Sequence, residues 1–154
     1  MIKRTMAFML GVAALAATPA LADGGAERVP LVTNTKAKKE CSACHMAFQP
    51  AFLPADAWKT MMRNLDEHFG ENAFLMPETK KAIARYYTSH APKKAGPMLL
   101  TPEGETTQRI TETSGWRNAH REVKPGAFKA GDVGAKANCP ACHKKASKGV
   151  YEDD

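Results

Sequence analysis

The stretch KKECSACHMAF, residues 38–48, holds two cysteines three positions apart, and a histidine directly follows the second one. The stretch NCPACHKKA, residues 138–146, repeats this CxxCH pattern near the other end of the chain. Together the two motifs use all four cysteines of the 154-residue sequence. The motif residues are Cys41, Cys44 and His45 in the first copy, and Cys139, Cys142 and His143 in the second.

The CxxCH pattern is typical of covalent c-type heme attachment, in which two thiols add to the heme vinyl groups and the adjacent imidazole is the proximal iron ligand. Disulfides or a redox dithiol do not explain why a histidine follows each pair. A zinc ribbon favours about 15 to 20 residues between its cysteine pairs, whereas 94 residues lie between Cys44 and Cys139. We therefore predict two covalently bound hemes c, attached through the four cysteines, with His45 and His143 as proximal ligands.

The first 22 residues, MIKRTMAFMLGVAALAATPALA, have the pattern of a secretory signal peptide. Lys3 and Arg4 precede a short apolar run, and small residues lead up to the expected cleavage after Ala22. The run is shorter than a usual membrane span, so we expect no retained membrane anchor. The sequence therefore predicts an exported, periplasmic chain of 132 residues.

Composition narrows the class of protein further. Aromatic residues make up only 7% of the chain, which predicts a thin hydrophobic core that the apolar hemes would complete. Without the leading segment, 20 basic residues stand against 16 acidic ones, a formal charge of +4. This excess is mild, and no basic motif interleaved with aromatic residues favours nucleic acid as a partner.

The pattern predicts a mainly α fold, a small helical c-type cytochrome with two lobes. A helical N-terminal heme lobe is expected over residues 23–95 and a less regular C-terminal heme lobe over residues 96–154, after the signal peptide at 1–22. The boundary lies in HAPKKAGPMLLTPEGETT, residues 90–107, which is rich in proline, glycine and charge.

Three helices are predicted in the N-terminal lobe. The first covers residues 33–48 and carries the first motif. The second covers residues 56–70, where apolar residues recur at offsets 0, 3, 4, 7 and 11 from Trp58. The third begins at Pro77, a residue suited to a first helical turn, and Pro92 prevents its continuation.

The C-terminal lobe is expected to be less regular. An extended piece is predicted at 109–113, a helical turn over SGWRNAHREV at 114–123, and then a glycine-rich loop. The last helix is expected to carry the second motif. Apart from the two motifs we find no internal repeat, so the sequence does not predict two copies of one fold.

Each iron either takes a sixth ligand or leaves that position open. If the second helix is continuous, His68 lies about 80° from Trp58, at the edge of the apolar stripe, where it can face the first heme. His120 follows Trp116 by four residues, so in a helical turn both side chains share a face that can cover the second heme. The remaining candidates are His90 and the methionines Met61, Met62, Met76 and Met98.

Three phrases of the sequence resemble the diheme cytochrome c family of bacterial exported electron carriers. They are LDEHFG after the first motif, GWRNAHREVKPG before the second, and NCPACHKKASKGVYEDD at the end. The resemblance covers nearly the whole chain after the leading segment. It implies low-spin iron held by two histidines at both hemes, with His45 and His68 at the first and His120 and His143 at the second. His90 matches nothing in the family pattern.

These ligands predict a function. Two imidazoles per iron favour the ferric state and leave no position for oxygen or peroxide, so we expect a low-potential carrier of single electrons rather than an enzyme. The resemblance also implies a redox partner, a small oxygen-binding monoheme cytochrome. The alternative is a diheme peroxidase or a gas-binding heme sensor, in which the sixth position is open.

Lysines lie near both motifs in the sequence, and they suggest how a redox partner would be attracted. They are Lys36, Lys38 and Lys39 beside the first motif, and Lys136, Lys144, Lys145 and Lys148 beside the second. Positive charge around a heme edge would speed association with an acidic patch of a redox partner, and salt would weaken that effect.

Overall fold

A computed structural model describes residues 28–151 and is mainly helical, as the sequence predicts. The α-helices of this part are α1 (Thr35–Cys41), α2 (Ala55–Arg63), α3 (Pro77–His90), α4 (Ser114–Ala119) and α5 (Cys139–Cys142). Short 3₁₀ turns and isolated β-bridges connect them. The predicted signal peptide lies outside the described residues, and no helix within them is long and apolar enough to cross a membrane.

The core lies in the N-terminal half, where α2 packs against α3. Trp58 of α2 stacks on Tyr87 of α3 with 4.2 Å between ring centroids, and the indole donates a hydrogen bond to the carbonyl of Pro50. Ile83 and Leu53 are fully buried beside them. Trp58, Met61 and Met62 of the predicted apolar stripe therefore do form the buried face of α2. Phe69, the last member of that stripe, lies beyond the helix and is exposed.

Two helices of this half are shorter than predicted. α1 ends at Cys41 rather than at residue 48, so the rest of the first motif lies in the turn that follows. α2 ends at Arg63 rather than at residue 70, because the chain turns at Asn64 and Leu65 then continues the buried face from a 3₁₀ turn. The third helix begins at Pro77 as predicted and ends at His90.

The C-terminal half is built from short turns. The predicted extended piece at 109–113 is wrong: it is a 3₁₀ turn, Ile110–Glu112, stabilised by a hydrogen bond from the Thr107 hydroxyl to the Glu112 carboxylate. The predicted helical turn is α4, whose N-cap Thr113 accepts a hydrogen bond from the Trp116 amide. The division into lobes at residues 95 and 96 stays a prediction.

The chain ends of the described part meet each other. Arg28 and Val150 form an antiparallel β-bridge, and the Val29 amide donates to the Gly149 carbonyl at 2.8 Å. Gly149 has φ of +71°, and a Cβ there would collide with the Val29 carbonyl oxygen. Glycine is therefore required at this position, and it anchors the chain after the second motif on the segment at Arg28 and Val29.

Candidate functional site

The first motif brings His45 beside His68. Their ring centroids are 6.1 Å apart and their planes are 26° from parallel. The predicted reason for this proximity is wrong, because α2 ends before His68 and the histidine does not lie on a helical stripe.

A tight turn presents His68 instead. The amides of His68 and Glu71 donate to each other's carbonyl oxygens at 2.8 and 3.1 Å. Phe69 and Gly70 inside the turn have φ of +58° and +98°. Positive φ is uncommon for a residue with a side chain, so this turn is held by its surroundings rather than by the preference of Phe69.

The second motif brings His143 beside His120. Their ring centroids are 5.9 Å apart, and their planes are 87° from parallel. His120 is the C-cap of α4, and its ring stacks on Trp116 at 4.2 Å, as the four-residue spacing predicts. His143 is the C-cap of α5, and its amide donates to the Cys139 carbonyl. The end of a short helix therefore places each imidazole.

Both pairs have a spacing that suits one metal ion between two imidazoles. With a metal–nitrogen length of about 2 Å, such imidazoles hold their ring centroids about 6 Å apart. In His45 and His120, Nδ1 lies 2.7 and 2.8 Å from the carbonyl oxygens of Met46 and Trp116. Donation of the Nδ1 proton to these carbonyls leaves Nε2 as the acceptor that can bind iron.

Burial also favours the neutral form of His68. Loss of solvent lowers the pKa of its imidazole, and the nearby His45 and Arg109 lower it further. A metal ligand has to be unprotonated, so this environment suits ligation.

The cysteines of the two motifs are arranged alike. The first cysteine of each motif is half-buried, the second is exposed, and none of the four is in a disulfide. Burial raises the pKa of Cys41, and it raises that of Cys139 to about 11. Such thiols lack the low pKa that marks a reactive redox dithiol.

Aromatic side chains lie beside both imidazole pairs, and no pattern in the sequence predicted several of these contacts. At the first site, Phe48 lies 4.9 Å from His45, and Phe69 lies 4.8 Å from His68, between ring centroids. The guanidinium of Arg109 lies 4.2 Å from the centre of the Phe69 ring. At the second site, Phe128 lies 5.5 Å from Trp116 and 6.2 Å from His120.

The other candidate ligands do not face a second imidazole within the described residues. His90 packs on Tyr86 at 4.3 Å, and its Nδ1 lies 2.8 Å from the Tyr86 carbonyl oxygen. Met61 and Met62 are buried in the core between α2 and α3. Met76 and Met98 are exposed. Within residues 28–151, the paired imidazoles are thus the two predicted pairs.

Comparison with known proteins identifies similar diheme cytochromes. A family model described as dihaem cytochrome c matches residues 37–151. Two solved structures from Rhodobacter sphaeroides, a diheme cytochrome c and a purified DHC, are both 33% identical to this chain, with TM-scores of 0.71 and 0.68. They cover 80% and 79% of this chain and 100% of their own chains.

A third structure, of a diheme cytochrome type c from Shewanella baltica OS155, is 31% identical with a TM-score of 0.65. It covers 80% of this chain and 89% of its own. Among curated protein sequences, none matches.

Proposed function

The chain belongs to the dihaem cytochrome c family, and on this premise we propose that it is an exported carrier of single electrons whose two hemes are each held by two histidines. Membership of the family implies two covalently bound c-type hemes and a heme-based electron-carrier role. The proposal adds the ligands, the low potentials and the compartment.

The observation that carries the proposal is the spacing of the two imidazole pairs, 6.1 and 5.9 Å. In each pair one histidine belongs to a CxxCH motif and the other comes from a separate turn or helix end. Two neutral imidazoles per iron give a lower potential than a histidine with a methionine. With both histidines of a pair as ligands, the iron would have no position left for oxygen or peroxide.

When bound, each heme supplies an iron that gains or loses one electron without a change of ligands. The protein holds the imidazoles in place through backbone hydrogen bonds and packs phenylalanine and tryptophan rings against them. His45 itself is exposed, so the first site lies near the surface, where a partner can approach.

The ligands can be tested by spectroscopy of the oxidised holoprotein. We expect low-spin ferric signals only, and no binding of carbon monoxide after reduction. His68→Ala and His120→Ala should each convert one heme to high-spin iron that binds carbon monoxide. His90→Ala is the matched control and should leave both hemes low-spin. A high-spin heme in the parent protein would instead favour the peroxidase or the gas sensor.

The ring planes give a sharper test. The angle between two imidazole planes determines the anisotropy of a low-spin ferric EPR signal. The first pair is near parallel and the second near perpendicular, at 26° and 87°. We therefore expect two distinct low-spin EPR signals, of which the His68→Ala variant loses one and the His120→Ala variant loses the other.

The proposed partner is a small oxygen-binding monoheme cytochrome, and the proposed compartment is the periplasm. Support for the partner surface comes from exposed lysines beside both motifs, of which Lys36 and Lys38 on α1 and Lys136 in the second half are examples. Electrostatic steering predicts that electron transfer slows as ionic strength rises. The test is stopped-flow mixing with the partner at several salt concentrations, together with Lys36→Gln and Lys38→Gln.

Export is tested by locating the protein in cell fractions.

A further inference from the structure

Gln49 is a fully buried amide in the N-terminal half, four residues after His45, and it binds the C-terminal end of the described chain. Its side-chain nitrogen donates to the Ala146 carbonyl at 2.9 Å, and its side-chain oxygen accepts from the Tyr151 hydroxyl at 2.6 Å. Gln49 has no exposed surface. One side chain therefore holds two positions that follow the second motif.

Both of these positions adjoin His143. The Ala146 amide donates to the His143 carbonyl at 2.9 Å, and Ala146 is itself fully buried. The Tyr151 ring lies edge-on to the His143 imidazole, with 5.6 Å between centroids and 61° between planes. Gln49 thus binds both Ala146, which is hydrogen-bonded to the His143 backbone, and Tyr151, whose ring contacts the His143 imidazole.

The opposite side of the Tyr151 ring is also defined. Phe52, in the 3₁₀ turn after Gln49, meets Tyr151 edge-on at 5.2 Å and 81°. The hydroxyl is fixed by Gln49, and the ring is fixed by Phe52. A buried amide with both polar groups bonded allows little movement, because any rotation leaves a donor or an acceptor without a partner.

We infer that Gln49 and Tyr151 are positioning residues for His143, and that they set the orientation of its imidazole at the second heme. This inference rests on the proposed ligation of each heme by two histidines. Groups behind a metal ligand orient its ring and tune the metal. Here Tyr151 contacts the ring directly, and Gln49, which holds Tyr151, comes from the other half of the chain. The properties of the second heme therefore depend on residues next to the first motif.

The primary test is Tyr151→Phe, studied as the holoprotein. This substitution keeps the ring but removes the hydroxyl that Gln49 holds, so the ring can turn and His143 can follow. We expect the EPR signal of the second heme to shift or broaden and its midpoint potential to change. The first heme is an internal reference, and its signal and potential should stay as they are.

Two further variants control the result. Gln49→Met keeps the length of the side chain but removes both hydrogen bonds, so it should alter the second signal at least as much. Tyr86→Phe removes a different tyrosine hydroxyl, one that contacts the Thr33 amide at 2.8 Å, and should leave the second signal unchanged.

The outcomes separate this inference from the proposed function. If Tyr151→Phe and Gln49→Met lower thermal stability but move neither signal nor potential, the contact is only structural and the inference is wrong. If the parent protein lacks two low-spin signals, the proposed ligation itself is wrong. A shift of the second signal alone, in both variants and not in Tyr86→Phe, supports the positioning role.

Discussion

The two candidate heme sites have the same spacing between imidazoles but are supported in different ways. The first lies against the core formed around Trp58, Ile83 and Tyr87. Of the described apolar side chains after position 91, only those of Ala146 and Val150 are buried. Ala146 is bonded to Gln49, and Val150 forms the bridge with Arg28. The second site therefore has little core of its own and depends on its heme tether and on the other half.

This difference indicates a hierarchy of folding within one small chain, in which one half depends on the other. A segment that buries little apolar surface cannot offset the conformational entropy that it loses on folding. The covalent heme supplies apolar surface to that segment, and Gln49 and Val29 anchor its end. The second half should therefore need the first, whereas the first should not need the second.

Removal of the second tether gives the largest expected effect. The double variant Cys139→Ser with Cys142→Ser should lose the second heme and about half of the heme absorbance, because no thioether remains. We expect the segment after about residue 96 to become sensitive to protease, while the first heme and residues 35–90 stay protected. Limited proteolysis with mass spectrometry locates the cuts.

The matched variant for the first tether is Cys41→Ser with Cys44→Ser. Because the second half is anchored on the first, this variant should expose both halves to protease. Equal patterns of cleavage in the two double variants would show that the halves fold as one unit, and the hierarchy would be wrong.

Sequence reasoning found the features that depend on local spacing. The two motifs predict heme attachment from their own residues, and Trp116 with His120 share a helical face as their spacing requires. The helical position predicted for His68 is wrong, although the histidine does lie beside His45: α2 ends at Arg63, and a turn with positive φ at Phe69 presents the histidine instead. Such a turn depends on contacts that no helical pattern encodes.

Gln49 shows a second limit of sequence reasoning. Its partners Ala146 and Tyr151 are 97 and 102 positions away along the chain. A buried glutamine between Phe48 and Pro50 has no distinguishing pattern, since its importance comes only from the fold that brings these segments together. The structure was needed to find it.

A core substitution should have the next largest effect. Ile83 has no exposed surface, so Ile83→Ala should destabilise the N-terminal half by about 2 to 5 kcal/mol through the lost burial and the cavity left behind. Val123→Ala is the matched change in the second half, where the side chain is 39% exposed, and should cost less than about 0.5 kcal/mol. Denaturant unfolding of both holoproteins measures the difference. Similar losses of unfolding free energy in the two variants would contradict the conclusion that the N-terminal half holds most of the core.

The anchor at the chain ends should have an intermediate effect. Gly149→Ala places a Cβ against the Val29 carbonyl at a positive φ, so it should cost about 1 to 3 kcal/mol and loosen the end of the second half. Gly126→Ala is the control, because an added Cβ there meets no atom within 4 Å. Hydrogen exchange should show faster opening near residues 143–151 in the first variant only. Unchanged exchange there would show that the contact between Gly149 and Val29 does not stabilise the second site.

The smallest expected effect compares two tyrosine hydroxyls, one at each site. Tyr87 donates to the Phe48 carbonyl at 3.0 Å, and Phe48 packs on His45, much as Tyr151 reaches Gln49 beside the second site. Burial raises the pKa of Tyr87 above its ordinary value, and the side chain of Cys41 raises it further. Tyr87→Phe should cost about 1 kcal/mol for one hydrogen bond. Because the ring stays packed against Trp58, His45 should keep its orientation and the first EPR signal its position. The first EPR signal in Tyr87→Phe could instead shift as much as the second signal is expected to shift in Tyr151→Phe. That result would mean that a tyrosine hydroxyl orients the histidine at both sites, and that the core around Trp58 does not hold His45 on its own.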